Sequence, residues 1–370
     1  MTIIVIYPGC DRDEFSWGKQ VGNLVYSGNV IFLGSVELAL ISEIEDDRIV
    51  FGGKTGEIEK IGVGSILVTG VSGKTPYGTL RKVTHITANG SQVTVSTLDA
   101  TLPEAIKEGT IRIEKRLLEK DFRLKSKVDG ILVTGPDKAF DGLAVTLDDF
   151  EIQNEGNSWA TLEGAIGVSA EITITIEIRF NRIQEMNVTT VLHNIDEVTL
   201  RSSGLFYGSK DTTLAEFIHS PIITDSIVIV PEIAFNCGYE GTASGEIVSG
   251  VRQDRILTSQ MRFQRYNWSE NTFDHSEVFD FIEPYLTEST DVKISSGPEV
   301  MIRIFGVPVQ SARAAGFYLV RSDETIPTGW RLFIGCDGYN IINAGLLGFR
   351  DDYIQKLDVD ASEINNNGDK

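Results

Sequence analysis

Histidine and serine patterns give no sign of a familiar catalytic centre. None of the four histidines belongs to an H-x-x-x-H pattern, and they lie far apart, at His85, His193, His219 and His275. The G-x-S-x-G sequence that presents a nucleophilic serine does not occur. No zinc site, catalytic triad or cofactor is therefore predicted, and a non-catalytic protein is expected.

Paired carboxylates occur at Asp148-Asp149 and at Asp351-Asp352. Glycoside hydrolysis needs two carboxyl groups about 5–10 Å apart across the scissile bond, and a sequence does not show that separation. Both pairs fall at expected strand ends, where solvated turns are the simpler interpretation.

The C-terminal residues begin like a calcium-binding loop at Asp358 and Asp360. However, Glu363 stands where such a loop needs glycine, and Asp369 stands where it needs a bidentate glutamate. A polar tail over residues 358–370 is therefore predicted, with no metal ligand.

Three tryptophans, Trp159, Trp268 and Trp330, are the first aromatic side chains to consider as sugar-stacking groups. A sugar site would place them with carboxylates in one cleft, whereas a purely structural role predicts that they are buried. The segment from Arg262 to Trp268 alternates arginines with aromatics. Cross-strand packing is the favoured interpretation of that segment.

The charge balance argues against nucleic acid as a partner. The chain has 33 basic and 53 acidic residues and a net charge of −20, which would repel a phosphate backbone. Gly73-Lys74-Thr75 resembles the end of a phosphate-binding loop, but Val68 stands where the first glycine is required and Pro76 follows where a helix must start. Lys74 is therefore expected to be a solvated turn residue.

The three cysteines, Cys10, Cys237 and Cys336, are too few and too scattered for a disulfide scaffold or a zinc site. If the protein is exported to an oxidising compartment, a disulfide between Cys237 and Cys336 is predicted. That bond requires Cα atoms within about 7 Å of each other.

Strand patterns dominate the chain, and an all-β fold with minor helix is predicted. Between Ala160 and Phe180 apolar and polar side chains alternate, which indicates a long strand with one buried and one solvated face. Residues 186–200 are expected to return beside it. Long antiparallel strands of this kind predict a sandwich-like body.

Shorter strands are predicted in the first third of the chain, at residues 30–33, 36–40, 49–51, 66–69, 80–86 and 93–97. Asn89-Gly90 predicts a type I′ hairpin turn between the last two. No run of about 18 apolar residues occurs, so no membrane-spanning helix is expected.

Two T-x-x-E sequences, Thr101…Glu104 and Thr213…Glu216, predict capped helix starts. The first helix is expected to end at Gly109. A third helix is predicted at residues 276–286 from its apolar spacing, although Pro284 is awkward inside it.

The segments VGSILVTG (63–70), PYGTLRKVT (76–84), VTVST (93–97) and ATLPEAIKEG (100–109) resemble an N-terminal module of secreted or surface-attached bacterial proteins without an assigned function. These proteins occur in Bacteroidetes and myxobacteria. The likeness is close over residues 49–121 and weaker at 316–319 and 330–335. It implies a β-rich fold at the cell surface and supplies no catalytic residue.

The N-terminus resembles a truncated bacterial lipoprotein signal. An apolar run over residues 2–9 ends in Gly9-Cys10, and acidic residues follow at 11–14. The basic segment that normally opens a signal peptide is missing. Cys10 is the predicted lipidation site and the only predicted membrane attachment, and an ordinary first strand is the alternative.

The expected organisation is a signal-like segment at 1–20, an N-terminal β module at 21–125, an antiparallel body at 126–357 and the polar tail. The expected role is structural, adhesive or ligand-binding, with a carbohydrate or protein partner at the bacterial surface. A carbohydrate-binding or carbohydrate-active protein is the first alternative. An outer-membrane barrel and a virion or intracellular structural protein are the others.

Overall fold

The structure is built almost entirely from antiparallel strands. The computed structural model describes residues 19–134, 142–322, 329–356 and 359–364. Strands make up 72% of the structure and helices 7%, so the predicted all-β class is confirmed.

The strands that precede the long hairpins are mostly short. In chain order they are β1 (Gln20–Val21), β2 (Leu24–Tyr26), β3 (Val30–Leu33), β4 (Ile41–Ile44), β5 (Arg48–Phe51), β6 (Ile66–Thr69), β7 (Thr79–Asn89), β8 (Gln92–Asp99), β9 (Ile106–Leu117), β10 (Phe122–Lys127), β11 (Ile131–Thr134) and β12 (Leu143–Glu155).

Most of the later strands are long. They are β13 (Ser158–Arg179), β14 (Arg182–Ser203), β15 (Phe206–His219), β16 (Ile222–Thr224), β17 (Ile227–Ala243), β18 (Ile247–Gln264), β19 (Asn267–Leu286), β20 (Thr290–Ile304), β21 (Val307–Ser322), β22 (Arg331–Ile342), β23 (Tyr353–Lys356) and β24 (Val359–Ile364). The helices are single short segments: α1 (Ser35–Leu40), α2 (Gly56–Glu59), α3 (Leu102–Ala105) and α4 (Ala344–Leu347).

These strands form three sheets. The first large sheet has the order β1-β2-β9-β13-β14-β18-β19, with β12 also beside β13 and β11 beside β12. The second large sheet has the order β10-β15-β17-β20-β21-β22-β23, with β16 on β17 and β24 on β22. The module sheet has the order β3-β6-β7-β8-β5-β4.

The two large sheets pack face to face as a sandwich. Apolar side chains from both sheets, such as Ile174 of β13 and Phe235 of β17, belong to one continuous buried core. In β13 buried and partly exposed side chains alternate along most of the strand, and β14 pairs with it over nearly its whole length. The predicted long strand and its return strand are therefore confirmed.

The module sheet has a smaller core of its own, which includes Ile49, Phe51 and Val95. The strands on either side of it in the chain, β1, β2 and β9, join the first large sheet instead. Residues 36–40, predicted as a strand, lie in α1. The helix forms there because the Glu37 carboxylate accepts hydrogen bonds from Gly34 N and Thr55 Oγ1, which hold its first turn.

The hairpin at Asn89-Gly90 is present, but its central residues are Gly90 and Ser91. Gly90 has a φ of 63° and Ser91 has no positive φ, so the predicted type I′ turn is wrong. α3 ends at Ala105 rather than at Gly109. Gly109 lies in β9, where a Cβ would be 2.4 Å from the carbonyl oxygen of Asn23, the residue before the adjacent β2.

Two predicted helices are strands. Thr213 to Glu216 lies in β15, in the interior of the second large sheet. Residues 276–286 lie in β19, the last strand of the first large sheet. Pro284 is tolerated there because an edge strand has one side without ladder hydrogen bonds, and the pairing with β18 shifts register at this point.

Residues 359–364 of the predicted polar tail form β24 and pair with β22. Over the parts of the chain that the structure describes, no helix has the length and apolar character needed to span a membrane.

Candidate functional site

A cleft of about 1000 Å³ lies between the module and one end of the sandwich. The module contributes residues from the loop before β3, from β6 and β7, and from α3. The body contributes the turn between β13 and β14, the turn between β18 and β19, and the segment from α4 to β23. The lining polar and charged residues are Asn29, Lys82, Thr101, Glu104, Asn181, Arg182, Arg350, Asp351 and Asp352.

On the module side, a capping box holds α3 against the cleft. Thr101 Oγ1 accepts a hydrogen bond from Glu104 N, and Glu104 Oε2 accepts one from Thr101 N at 2.9 Å. Lys82 Nζ donates to the other Glu104 oxygen at 2.8 Å. Burial alone would raise the pKa of Glu104, but the bonds from Lys82 and Thr101 outweigh it and lower that pKa. Glu104 is therefore an ionised structural group and a poor proton donor.

The β13–β14 turn is fastened to the module. Phe180 and Asn181 both have positive φ, 54° and 56°, as a two-residue type I′ turn requires. Asn181 Nδ2 donates to Ser27 Oγ at 3.0 Å and to the Pro103 carbonyl at 2.9 Å. Asn181 N also donates to the Lys107 carbonyl. These bonds fix the position of Arg182, the next residue, at the cleft wall.

The β18–β19 turn supplies the aromatic side of the cleft. Arg265 and Tyr266 occupy the turn with φ of 53° and 65°, and Tyr266 is 74% exposed. Phe263 and Trp268 are register partners on either side of the turn, with ring centroids 5.3 Å apart. The predicted cross-strand packing in this segment is therefore confirmed.

The C-terminal segment completes an aromatic floor made of Phe263, Trp268, Phe349 and Tyr353. The Trp268 and Tyr353 rings stack with centroids 4.6 Å apart, and Phe349 packs edge-on against Trp268. Tyr353 Oη donates to Glu270 Oε2 at 2.8 Å. Burial, followed by the Glu270 hydrogen bond, raises the pKa of Tyr353 to about 12.

Of the remaining acids of the cleft, Asp352 is hydrogen-bonded within the protein and Asp351 is exposed. Asp352 Oδ1 accepts a hydrogen bond from Ala344 N at 2.7 Å, at the start of α4. Asp351 lies 3.8 Å from Arg350 and is 84% exposed. The cleft thus combines aromatic rings, amide groups and charges, and its hydrogen-bonded carboxylates, Glu104 and Asp352, are engaged as structural groups rather than as an acid and base pair.

The structure separates the three predicted aromatics. Trp268 lies in the cleft, whereas Trp330 is buried in the core with 7% exposure. Trp159 is 44% exposed but lies at the other end of β13, 20 residues from Arg179, which corresponds to about 60 Å of extended strand.

The predicted disulfide between Cys237 and Cys336 is wrong for this fold. Both residues are buried and neither is in a disulfide bond. They lie on β17 and β22, and the partners Ser296 and Gly316 on β20 and β21 stand between them. Three strand spacings of about 4.8 Å each put the two cysteines well beyond bonding distance.

Other predicted residues lie away from the cleft or outside the described part of the chain. Cys10 and most of the calcium-like tail fall outside the described residues. Lys74 is an exposed turn residue whose ammonium group donates to the Ile41 carbonyl. Over the described ranges, no group of three or more His, Cys, Asp or Glu side chains is placed to bind a metal.

A second, smaller groove of about 530 Å³ crosses the outer face of the second large sheet. Four of its charged groups pair with one another. Arg313 donates two hydrogen bonds to Asp211, and Lys293 pairs with Asp337. The cleft is therefore the stronger candidate site.

The sequence does not indicate Asn181, Arg182, Phe349 or Tyr353 as site residues, and it assigns the segment that contains Tyr266 to cross-strand packing. A signal existed for the first two, since polar residues at 181 and 182 end the long alternating run.

The chain matches no protein-family model, no curated protein and no solved structure.

Proposed function

We propose that this protein is a non-catalytic, secreted or surface-attached bacterial protein that binds a carbohydrate in the cleft between the module and the sandwich. The observation that carries the proposal is the joint lining of one cleft by aromatic rings and by polar side chains from widely separated parts of the chain. Ligand sites combine an apolar surface with a few converging polar groups in this way.

The aromatic groups have different roles in the proposed site. Trp268 is held on one side by Tyr353 and on another by Phe349, so it stiffens the floor. Tyr266 stands exposed beside that floor on a tight turn, where its ring is available to a ligand. A rigid exposed aromatic loses little conformational entropy on binding, and such residues often dominate binding energies.

The state of the carboxylates supports binding rather than hydrolysis. Glycosidases need one carboxylic acid with a raised pKa, whereas the pKa of Glu104 is lowered and Asp352 is engaged by a backbone N–H. A sugar bound here would meet hydrogen-bond donors and acceptors, while neither Glu104 nor Asp352 is placed to protonate its glycosidic oxygen.

Glycan-array screening of the protein, followed by calorimetry with soluble oligosaccharides, tests the proposed binding. Tyr266→Ala should weaken binding by about tenfold or more, while Trp159→Ala, an exposed aromatic at the other end of the sheet, should leave affinity unchanged. Equal affinity of wild type and Tyr266→Ala for every bound glycan would show that the cleft is not the site.

The surface location rests on the resemblance of residues 49–121 and on Gly9-Cys10. Metabolic labelling of the full-length gene product with a fatty-acid probe should modify wild type and not Cys10→Ala. Identical labelling of the two, or labelling of neither, would refute lipid attachment without bearing on the cleft.

A further inference from the structure

Arg182 is a cationic side chain of the cleft that forms no ion pair with a carboxylate among the described residues. Arg182 lies at the start of β14 on the cleft wall and is exposed. Within the described ranges, no hydrogen-bond acceptor or acidic group contacts its guanidinium group. Two neighbouring arginines of the same sheet, by contrast, form ion pairs: Arg179 lies 2.5 Å from Glu177, and Arg262 lies 2.7 Å from Glu185.

Two acids of the cleft accept short hydrogen bonds from other groups, and the third is exposed beside Arg350. Glu104 accepts from Lys82 and Thr101, Asp352 accepts from Ala344 N, and Asp351 pairs with Arg350.

We infer that the cleft selects a carbohydrate that carries a negative charge, and that Arg182 recognises the anionic group. This inference rests on the proposed carbohydrate-binding function. A guanidinium group offers a planar pair of N–H donors that fits a carboxylate or a sulfate in a bidentate manner. The aromatic rings beside it would bind the apolar face of the sugar ring.

The backbone around Arg182 is held in place for this role. Asn181 makes three hydrogen bonds to the module and β9, and Ile183 on the other side is buried in the core. A recognition group on such a fixed backbone needs little ordering when the ligand binds.

The test is calorimetry of wild type, Arg182→Gln and Arg182→Lys with three ligands of similar length: an oligouronate, a sulfated oligosaccharide and a neutral oligosaccharide. Wild type should bind one of the two anionic ligands about tenfold or more tightly than the neutral one. The uronate and sulfate arms distinguish the two anionic groups. Arg182→Gln should abolish that preference, and Arg182→Lys should keep part of it.

Arg123→Gln is the matched control, because it removes the same charge from an exposed position on β10, outside the cleft. It should bind as wild type does. The preference should also fall as salt concentration rises.

Three results would overturn the inference. Binding that depends on Tyr266 but is equal for charged and neutral sugars would overturn it while leaving the proposed function standing. Equal losses in Arg182→Gln and Arg123→Gln would assign the effect to net charge. Absence of binding to all three ligands in wild type, with wild type also silent on the glycan array, would refute the proposed function and this inference together.

Discussion

Gly316 and Gln253 meet across the interface between the two large sheets. A Cβ at position 316 would lie 1.9 Å from the Gln253 side-chain nitrogen and 3.0 Å from Asp196 Oδ2. Position 316 on β21 therefore has room for glycine only, because the Gln253 amide of β18 occupies the space that a side chain would need. Close packing leaves no other volume for that amide.

Gly316→Ala should lower the free energy of unfolding by about 2–3 kcal/mol, because the methyl group must displace a buried amide. Urea unfolding measures the change. Gly70→Ala is the control, since Gly70 has no heavy atom within 4 Å of an added Cβ. Equal stability of the two variants would contradict close packing of Gly316 against Gln253.

Asp196 gives the sandwich a pH-dependent stability. Burial raises its pKa to about 8, although the charge of Arg255 and the hydrogen bond from Asn194 act in the opposite direction. Among the described residues no group donates to Asp196 Oδ1 or to Gln253 Oε1. A proton on Asp196 would turn one of these buried acceptors into a donor.

The sign of this contribution follows from linkage. Between about pH 4 and pH 8 the folded state keeps a proton that the unfolded state releases, so the Asp196 contribution to stability falls as pH rises. Asp196→Asn should gain stability relative to wild type over that range, by up to about 1.4 kcal/mol per pH unit. Urea unfolding at several pH values measures it, with exposed Asp46→Asn as control. A stability difference independent of pH for Asp196→Asn would contradict the assignment.

Thr101→Ala should cost about 1 kcal/mol of stability, because it removes the acceptor for Glu104 N in the capping box of α3. Thr87→Ala on the exposed face of β7 should cost much less. Thermal and urea unfolding of both variants check the difference, and equal costs would mean that the cap does not stabilise the module.

Cys237 and Cys336 should stay reduced and unreactive in the folded protein. Burial, followed by the charge of Asp196, raises the pKa of Cys237 to about 12, and thiols in this state are weak nucleophiles. Peptide mapping without reductant after oxidative refolding should recover no peptide that joins the two cysteines. A recovered Cys237–Cys336 peptide would mean that the strand order of the second large sheet differs from the one described.

The T-x-x-E pattern occurs at Thr101 and at Thr213, but it caps a helix only at Thr101. At 101 the pattern caps α3, with Pro103 in the first turn. At 213 the same spacing lies inside β15, where Thr213 Oγ1 donates to Asn236 of the paired strand. Pairing with two neighbouring strands outweighs a cap worth about 1 kcal/mol, and no local signal reports those neighbours.

The sequence by itself determined the all-β class and the long hairpin of β13 and β14, because one-sided burial of a strand forces alternation that can be read directly. Only the tertiary structure decided the candidate site. Glu104, Arg182, Trp268 and Asp352 come from four distant parts of the chain and converge because sheet order places the turns of the first large sheet, and the segment before β23 of the second, beside the module. Strand order depends on long-range burial and pairing, which residue spacing does not encode.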